Sequence, residues 1–114
     1  WCLQDSPRLS AEARSLMQGA SRIFVSAASI WEAAIKAGLG KLQVDPNDVV
    51  GGIAASGFLE LPVLGRHAAR VSSLPFHHKD PFDRLLVAQA MEEPLRLLTT
   101  DRLLQAYSPL VQVI

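Results

Sequence analysis

Short apolar segments alternate with longer segments of helical periodicity along this chain of 114 residues. Some of the apolar segments are partly β-branched, and turn-forming residues bound them, which is typical of buried strands. Strands that alternate with helices need crossover connections, so this pattern predicts a parallel sheet covered by helices on both faces. We therefore expect one α/β domain over residues 1–114, built as a three-layer α/β/α sandwich.

Capping and turn residues set the boundaries of the predicted elements. Asp45-Pro46 and Asp80-Pro81 each place a capping aspartate before proline, the residue favoured in a first helical turn. Ser10 and Gly19 are a start and a stop signal for the first helix. The predicted helices cover about residues 10–18, 27–39, 46–57, 66–73, 81–93 and 101–107. The predicted strands cover about residues 22–26, 58–62, 95–99 and 111–114.

Composition restricts the functional classes only weakly. Eleven basic and eleven acidic residues balance, and an acidic metal site could offset a basic nucleic-acid face, so net charge decides nothing. Cys2 is the single cysteine, which fits a cytoplasmic protein without an intrachain disulfide. No apolar run approaches the roughly 18 residues that span a bilayer, so we expect no membrane partner. Trp1-Cys2-Leu3 reads as the end of an apolar segment, and we expect the N-terminus to be incomplete.

Asp83 is the acidic residue whose position is hardest to explain by solvent exposure. On the predicted helix 81–93 it shares a face with Leu86, Val87 and Ala90. A carboxylate on such a face is costly to bury unless it is paired or bound to a metal. The alternative is a helix cap, because negative charge is favourable at a helix start. Asp80 fits the capping role better, since it directly precedes the proline.

Two further carboxylates follow predicted strands. Glu32 lies one turn into its helix, where a capping box with Ser29 and an ion pair with Lys36 are structural alternatives. Asp101 follows the third predicted strand and could also cap the short helix after it. Ligand sites in open α/β sheets gather outside the carboxyl ends of the strands. We therefore expect these two carboxylates to converge with Asp83 around a hard divalent cation such as Mg²⁺.

Three motifs resemble those of VapC-type PIN domains. They are Val-Ser-Ala-Ala-Ser-Ile-Trp-Glu at 25–32, His-Lys-Asp-Pro-Phe-Asp-Arg at 78–84 and Leu-Thr-Thr-Asp at 98–101. Their order and spacing match the family, and the resemblance covers the whole chain. The family's sheet has a central first strand that ends in an aspartate. The resemblance implies that this strand and its aspartate are missing here, so we expect residues 1–114 alone to be inactive and poorly stable.

The resemblance implies a Mg²⁺- or Mn²⁺-dependent endoribonuclease, the toxin of a type II toxin–antitoxin pair, which cleaves RNA with a metal-activated water. It implies that the catalytic and metal-binding residues are Glu32, Asp83 and Asp101. Asp80 is a possible accessory, Thr99 would orient a ligand or water, and Arg84 would reach a phosphate or form a surface ion pair. The implied partners are an RNA substrate, a cognate antitoxin and a second copy of the chain.

Two other functions compete with the nuclease. The first is a catalytically inert PIN-fold interaction module or truncated relic, which the missing aspartate would favour. The second is another α/β enzyme with an acidic pocket, such as a phosphatase or receiver-type domain, against which the Asp-Pro-Phe-Asp-Arg helix argues. Three histidines could suggest a metal site, but no two of them are at helical spacing. We therefore interpret His67, His77 and His78 as surface residues. A phosphate-contacting rim or a solvated surface is expected for Lys36, Lys41, Arg66, Arg70 and Lys79.

Overall fold

The core of the protein is a parallel five-stranded sheet, and the computed structural model describes residues 2–3, 19 and 22–113. The strands are β1 (Cys2–Leu3), β2 (Phe24–Ser26), β3 (Leu59–Leu61), β4 (Leu97–Thr99) and β5 (Val111–Val113). Their order across the sheet is β3-β2-β1-β4-β5, and each neighbouring pair is parallel. The α/β class and the parallel sheet predicted from the sequence are therefore confirmed.

The central position of the sheet is occupied by β1, a strand of two residues, so the missing strand expected from the resemblance is not confirmed. Leu3 pairs with Val25 of β2 on one side and with Leu98 of β4 on the other. Without this strand, β2 and β4 would each turn a row of unpaired backbone groups toward the middle of the sheet. Burying unpaired N–H and C=O groups is costly, which favours pairing by even a short apolar segment.

Two of the helices start at the capping aspartates that the sequence indicates. The helices are α1 (Ala27–Gly38), α2 (Pro46–Ala55), α3 (Gly65–Val71), α4 (Pro81–Glu92) and a 3-10 helix (Arg102–Ala106). Ser26, Asp45 and Asp80 accept hydrogen bonds from backbone N–H groups in the first turns of α1, α2 and α4. The bounds agree with the predicted ones to within two residues. None of the helices within residues 22–113 is long and apolar enough to cross a membrane.

Helix α4 packs its apolar face into the core. Leu86, Val87 and Ala90 are buried there with Leu97 of β4 and Leu104 of the 3-10 helix. Burial of each large aliphatic side chain contributes roughly 1.5–3 kcal/mol relative to exposure. The helix contacts α1, α3 and β4, so it is held against both the sheet and its neighbouring helices. The three-layer arrangement remains a prediction, because the helix expected at 10–18 lies outside the described residues.

The register of the sheet brings the ends of β2 and β4 level with each other. Val25 and Leu98 both pair with Leu3, so Ser26 and Thr99, one residue further, lie at the same edge. Since β1 separates the two strands, their ends are two strand spacings apart, about 10 Å. The segments that follow them carry Glu32 and Asp101, respectively. The fold thus places two of the candidate carboxylates at one edge of the sheet.

Candidate active site

Asp83 lies in the first turn of α4 and points into the protein. Its side chain is 9% exposed, and the residues on the same face, Leu86 and Val87, are buried. The carboxylate of Asp80 caps the helix instead, accepting from the N–H of Phe82 at 2.8 Å. The capping alternative therefore holds for Asp80, and Asp83 is a buried carboxylate that the helix cap does not explain.

Burial and neighbouring negative charge raise the pKa of Asp83 from 3.8 to about 6. Loss of solvation is the largest cause. The carboxylates of Asp80, Glu32 and Asp101 raise the pKa further, whereas His78 lowers it. The side chains that surround Asp83 thus create a negative potential at its carboxylate. A bound cation would relieve both the repulsion and the desolvation.

Asp101 uses both of its carboxylate oxygens within the protein. Oδ1 accepts from the N–H of Leu103 at 2.9 Å and caps the 3-10 helix. Oδ2 accepts from Nε2 of His78 at 2.6 Å. The backbone N–H of Asp101 donates to Oγ1 of Thr99 at 3.0 Å, so the buried threonine fixes the position of the aspartate. The capping interpretation is confirmed, and it coexists with a place in the acidic cluster.

Glu32 lies on α1 and contributes to the same electrostatic environment. Its carboxylate is close enough to Asp83 to raise the pKa of that residue. It also forms an ion pair with Lys36 at 3.9 Å, one turn further along the helix, as the sequence allowed. The capping box with Ser29 is wrong, because α1 starts earlier and Ser26 is its cap.

His78 is part of this cluster, and the interpretation of it as a surface residue is wrong. Its side chain is mostly buried, with Nε2 at 3.6 Å from Oδ2 of Asp83 and 2.6 Å from Oδ2 of Asp101. Nδ1 accepts from the N–H of Asp80 at 3.0 Å, so in the neutral ring Nε2 carries the proton and donates it to Asp101. The signal was present in the His-Lys-Asp-Pro-Phe-Asp-Arg motif, which begins with this residue.

The carboxylates in this cluster suit a hard divalent cation better than the imidazole does. Ligand atoms of His78, Asp83 and Asp101 all lie within 4.8 Å of one another. Carboxylate oxygens are ligands that Mg²⁺ and Mn²⁺ prefer. To bind a metal, Nε2 would have to be unprotonated. Nδ1 must also be unprotonated, because it accepts from the N–H of Asp80, and a neutral imidazole carries a proton on one of its two nitrogens. In this geometry His78 is therefore a hydrogen-bond donor that holds the carboxylates together.

The family of the chain follows from a comparison with protein-family models. The model of the PIN domain matches residues 1–108. The chain is a PIN domain. PIN domains are generally nucleases that act on RNA or other nucleic acid, typically with divalent metals, and the acidic cluster agrees with that chemistry. A comparison with curated proteins gave no match.

Arg84 of this PIN domain binds the loop before α4. Its guanidinium donates to the carbonyl oxygens of Pro75 at 3.1 Å and Val71 at 3.2 Å, and to the hydroxyl of Tyr107 at 3.1 Å. It also lies over the ring of Phe76, 5.0 Å from the ring centroid. These contacts differ from the expected surface ion pair. They show that Arg84 positions the loop that carries His78, while a phosphate contact stays a prediction.

A second buried polar cluster connects α4 of the PIN domain with α3 and β2. Gln89 and His67 are fully buried, so the interpretation of His67 as a surface residue is wrong. Gln89 accepts from the hydroxyl of Ser26 and donates to the carbonyl oxygen of Pro62. Nδ1 of His67 accepts from the N–H of Leu64 at 2.9 Å, so Nε2 donates to Glu93 at 2.6 Å. These partners satisfy the groups that burial would otherwise leave unpaired.

Two cations of the expected phosphate-contacting rim are ion-paired next to this buried cluster. Arg66 lies 2.6 Å from Oε2 of Glu93, and Arg70 lies 3.2 Å from Oε1 of Glu92. The hydrogen bond from His67, together with the charge of Arg66, lowers the pKa of Glu93. These arginines therefore connect α3 to the end of α4, which favours a structural role for them.

Proposed function

We propose that this PIN domain is a Mg²⁺- or Mn²⁺-dependent endoribonuclease of the VapC type. One observation carries the proposal: burial, and then the carboxylates of Asp80, Glu32 and Asp101, raise the pKa of Asp83 to about 6. Lys36 and His78 offset only part of this charge, so negative charge accumulates at Asp83. In a PIN domain such an accumulation is best explained as a cation site.

The proposed ligands are the carboxylates of Glu32, Asp83 and Asp101. A divalent cation there would supply an activated water and neutralise the charge that develops on the phosphodiester. Above a pH of about 6 the carboxylate of Asp83 is mainly ionised and can act as a ligand. In more acidic solution the carboxylate gains a proton, so the affinity of the site for a cation decreases as the pH is lowered.

The remaining residues of the cluster hold these carboxylates in place. Thr99 accepts from the backbone N–H of Asp101, and His78 donates to its Oδ2 atom. Asp80 caps α4 and thereby orients the turn that carries Asp83. Its negative charge also adds to the potential that would attract a cation. We therefore assign Asp80, Thr99 and His78 as positioning residues.

The test is cleavage of labelled RNA by the intact protein with Mg²⁺ or Mn²⁺, with chelator, and as the Asp83→Asn variant. Removing a proposed metal ligand should cost more than the roughly 10- to 100-fold typical of changes around a metal site. Asp48→Asn, an exposed aspartate in the first turn of α2, is the matched control and should cleave normally. Unchanged cleavage by Asp83→Asn, or cleavage in excess chelator, would refute the proposed site.

The resemblance to VapC proteins also supports a toxin role in the cytoplasm, a cognate antitoxin and a homodimer. Expression of the intact protein should stop bacterial growth, and Asp83→Asn should abolish that effect. Co-expression with the antitoxin should restore growth, and light scattering of the purified protein should give the mass of a dimer. Loss of both RNA cleavage and metal-dependent thermal stabilisation would instead indicate an inert interaction module.

A further inference from the structure

A cavity opens beside the acidic cluster, between the loop before α4 and the 3-10 helix. Its volume is about 380 Å³, and it is lined by Phe76, His77, His78, Lys79 and Leu103. That volume lies within the range of small-molecule sites in proteins, about 300–1,000 Å³.

The cavity borders the cluster, because its lining residue His78 hydrogen-bonds the carboxylate of Asp101. One oxygen of this carboxylate accepts from the His78 ring, on the loop side of the cavity. The other oxygen accepts from the N–H of Leu103, on the helix side. The same aspartate therefore fixes both walls, and a ligand in the cavity would lie next to the proposed cation site.

The walls of the cavity carry two large apolar side chains that are exposed to solvent. Phe76 is 74% exposed and Leu103 is 60% exposed. The guanidinium of Arg84 lies over one face of the Phe76 ring, 5.0 Å from the ring centroid. Hydrogen bonds to two backbone carbonyl oxygens hold this guanidinium in place. The ring of His77 packs edge-on against Tyr107, with the centroids 5.0 Å apart. The aromatic groups are thus held in fixed positions while remaining accessible to a flat ligand.

Charge favours a ligand that carries a phosphate on one side. Lys79 lines the cavity and is exposed, whereas the neighbouring cluster is acidic. A lysine ammonium there can bind a phosphate and offset the repulsion between RNA and the carboxylates. Unstacked bases of single-stranded RNA bind by stacking on aromatic side chains. A nucleobase with its attached phosphate therefore matches both the apolar walls and the cation.

We infer that this cavity, the Phe76–Leu103 pocket, binds one unpaired base of an RNA strand, adjacent to the phosphodiester held at the acidic cluster. The inference rests on the proposed nuclease function and adds a base-binding subsite to it. The ring of Phe76 stacks on the base, Leu103 packs against it, and Lys79 binds the neighbouring phosphate.

The test compares the affinity of two probes, a short oligoadenylate and an abasic ribose-phosphate oligomer of equal length. Binding is measured in chelator with the intact Asp83→Asn protein, so that cleavage does not interfere. Oligoadenylate should bind more tightly than the abasic oligomer. Phe76→Ala and Leu103→Ala should each weaken oligoadenylate binding by about 5- to 100-fold, the range that loss of one base–aromatic stack gives. Neither variant should change binding of the abasic oligomer.

Two control variants make the result specific. Leu39 is 64% exposed at the end of α1, so Leu39→Ala removes a similarly exposed leucine and should leave both affinities unchanged. Lys79→Ala should weaken both probes equally and reduce the salt dependence of binding, as expected for a phosphate contact. The thermal midpoint of each variant shows that it is folded. A 2-aminopurine base in the probe should lose fluorescence on binding, except with Phe76→Ala.

The inference is overturned if the unaltered pocket does not prefer oligoadenylate, or if Phe76→Ala and Leu103→Ala bind it normally. A loss confined to binding of a protein partner would also overturn it, and would assign the pocket to that partner. The proposed nuclease function fails on a different result, the absence of metal-dependent cleavage with base binding intact. The two failures are therefore distinguishable.

Discussion

Replacing Asp83 by asparagine should stabilise the metal-free protein at neutral pH. The side chain is 9% exposed, and its pKa is raised from 3.8 to about 6. The folded state therefore binds a proton more tightly than the unfolded state. The stability that this proton provides is fully present below pH 3.8 and is lost as pH rises through about 6. Above that pH the folded protein contains a buried charge that asparagine does not have.

The size of the effect follows from the shift. A difference of about two pKa units corresponds to about 3 kcal/mol, at 1.36 kcal/mol per unit. We expect the free energy of unfolding of Asp83→Asn minus that of wild type to be about 2–3 kcal/mol larger at a pH of about 8 than at a pH of about 4. In urea this corresponds to a change of about 1–2 M in the difference between the unfolding midpoints.

The assay is urea unfolding of the intact protein in chelator, followed by circular dichroism at several pH values. The contributions of most other titrating groups cancel in the difference between the two proteins. Asp48→Asn, which removes an exposed aspartate of α2, should show no comparable change with pH. A stability difference for Asp83→Asn that is the same at both ends of the pH range would refute the reasoning. It would mean that the carboxylate is hydrated and does not experience its neighbours.

Two further substitutions test the groups that support the site. Tyr107→Phe removes the hydroxyl that accepts from the backbone N–H groups of His77 and His78 and from Arg84. The loss should lower the free energy of unfolding, measured by denaturation, by about 1–3 kcal/mol. An unchanged free energy of unfolding would show that water replaces the hydroxyl. Gln89→Leu leaves buried partners unsatisfied and should cost about 2–4 kcal/mol, whereas the exposed Gln105→Leu should cost less than about 0.5 kcal/mol. Equal midpoints for the two glutamine variants would contradict the buried network.

Local sequence patterns determined the secondary structure of the described residues. The Asp-Pro pairs and the apolar periodicity predicted where α2 and α4 begin, and the short apolar segments predicted β2, β3, β4 and β5. Caps, proline and periodicity act over a few residues, so they can be read without a partner. The same reasoning placed Asp83 on the buried face of α4, where the structure has it.

Tertiary structure decided which residues meet. His78 hydrogen-bonds Asp101, 23 positions away, and Gln89 hydrogen-bonds Ser26, 63 positions away. No spacing rule relates such pairs, because the crossover connections and the register of the sheet bring them together. The sequence pattern therefore predicted that His67 and His78 are surface residues. The packing of α3, α4 and the loop before α4 buried them and gave each a partner.

The centre of the sheet shows the same division. The sequence required a parallel sheet and identified Trp1-Cys2-Leu3 as an apolar segment. It did not reveal that β1 would pair with both β2 and β4, because hydrogen bonding between distant strands has no local signature. Only the assembled sheet creates the two rows of backbone groups that need a strand between them. The sequence determined the elements and their chemistry, and long-range packing determined how they are joined into a site.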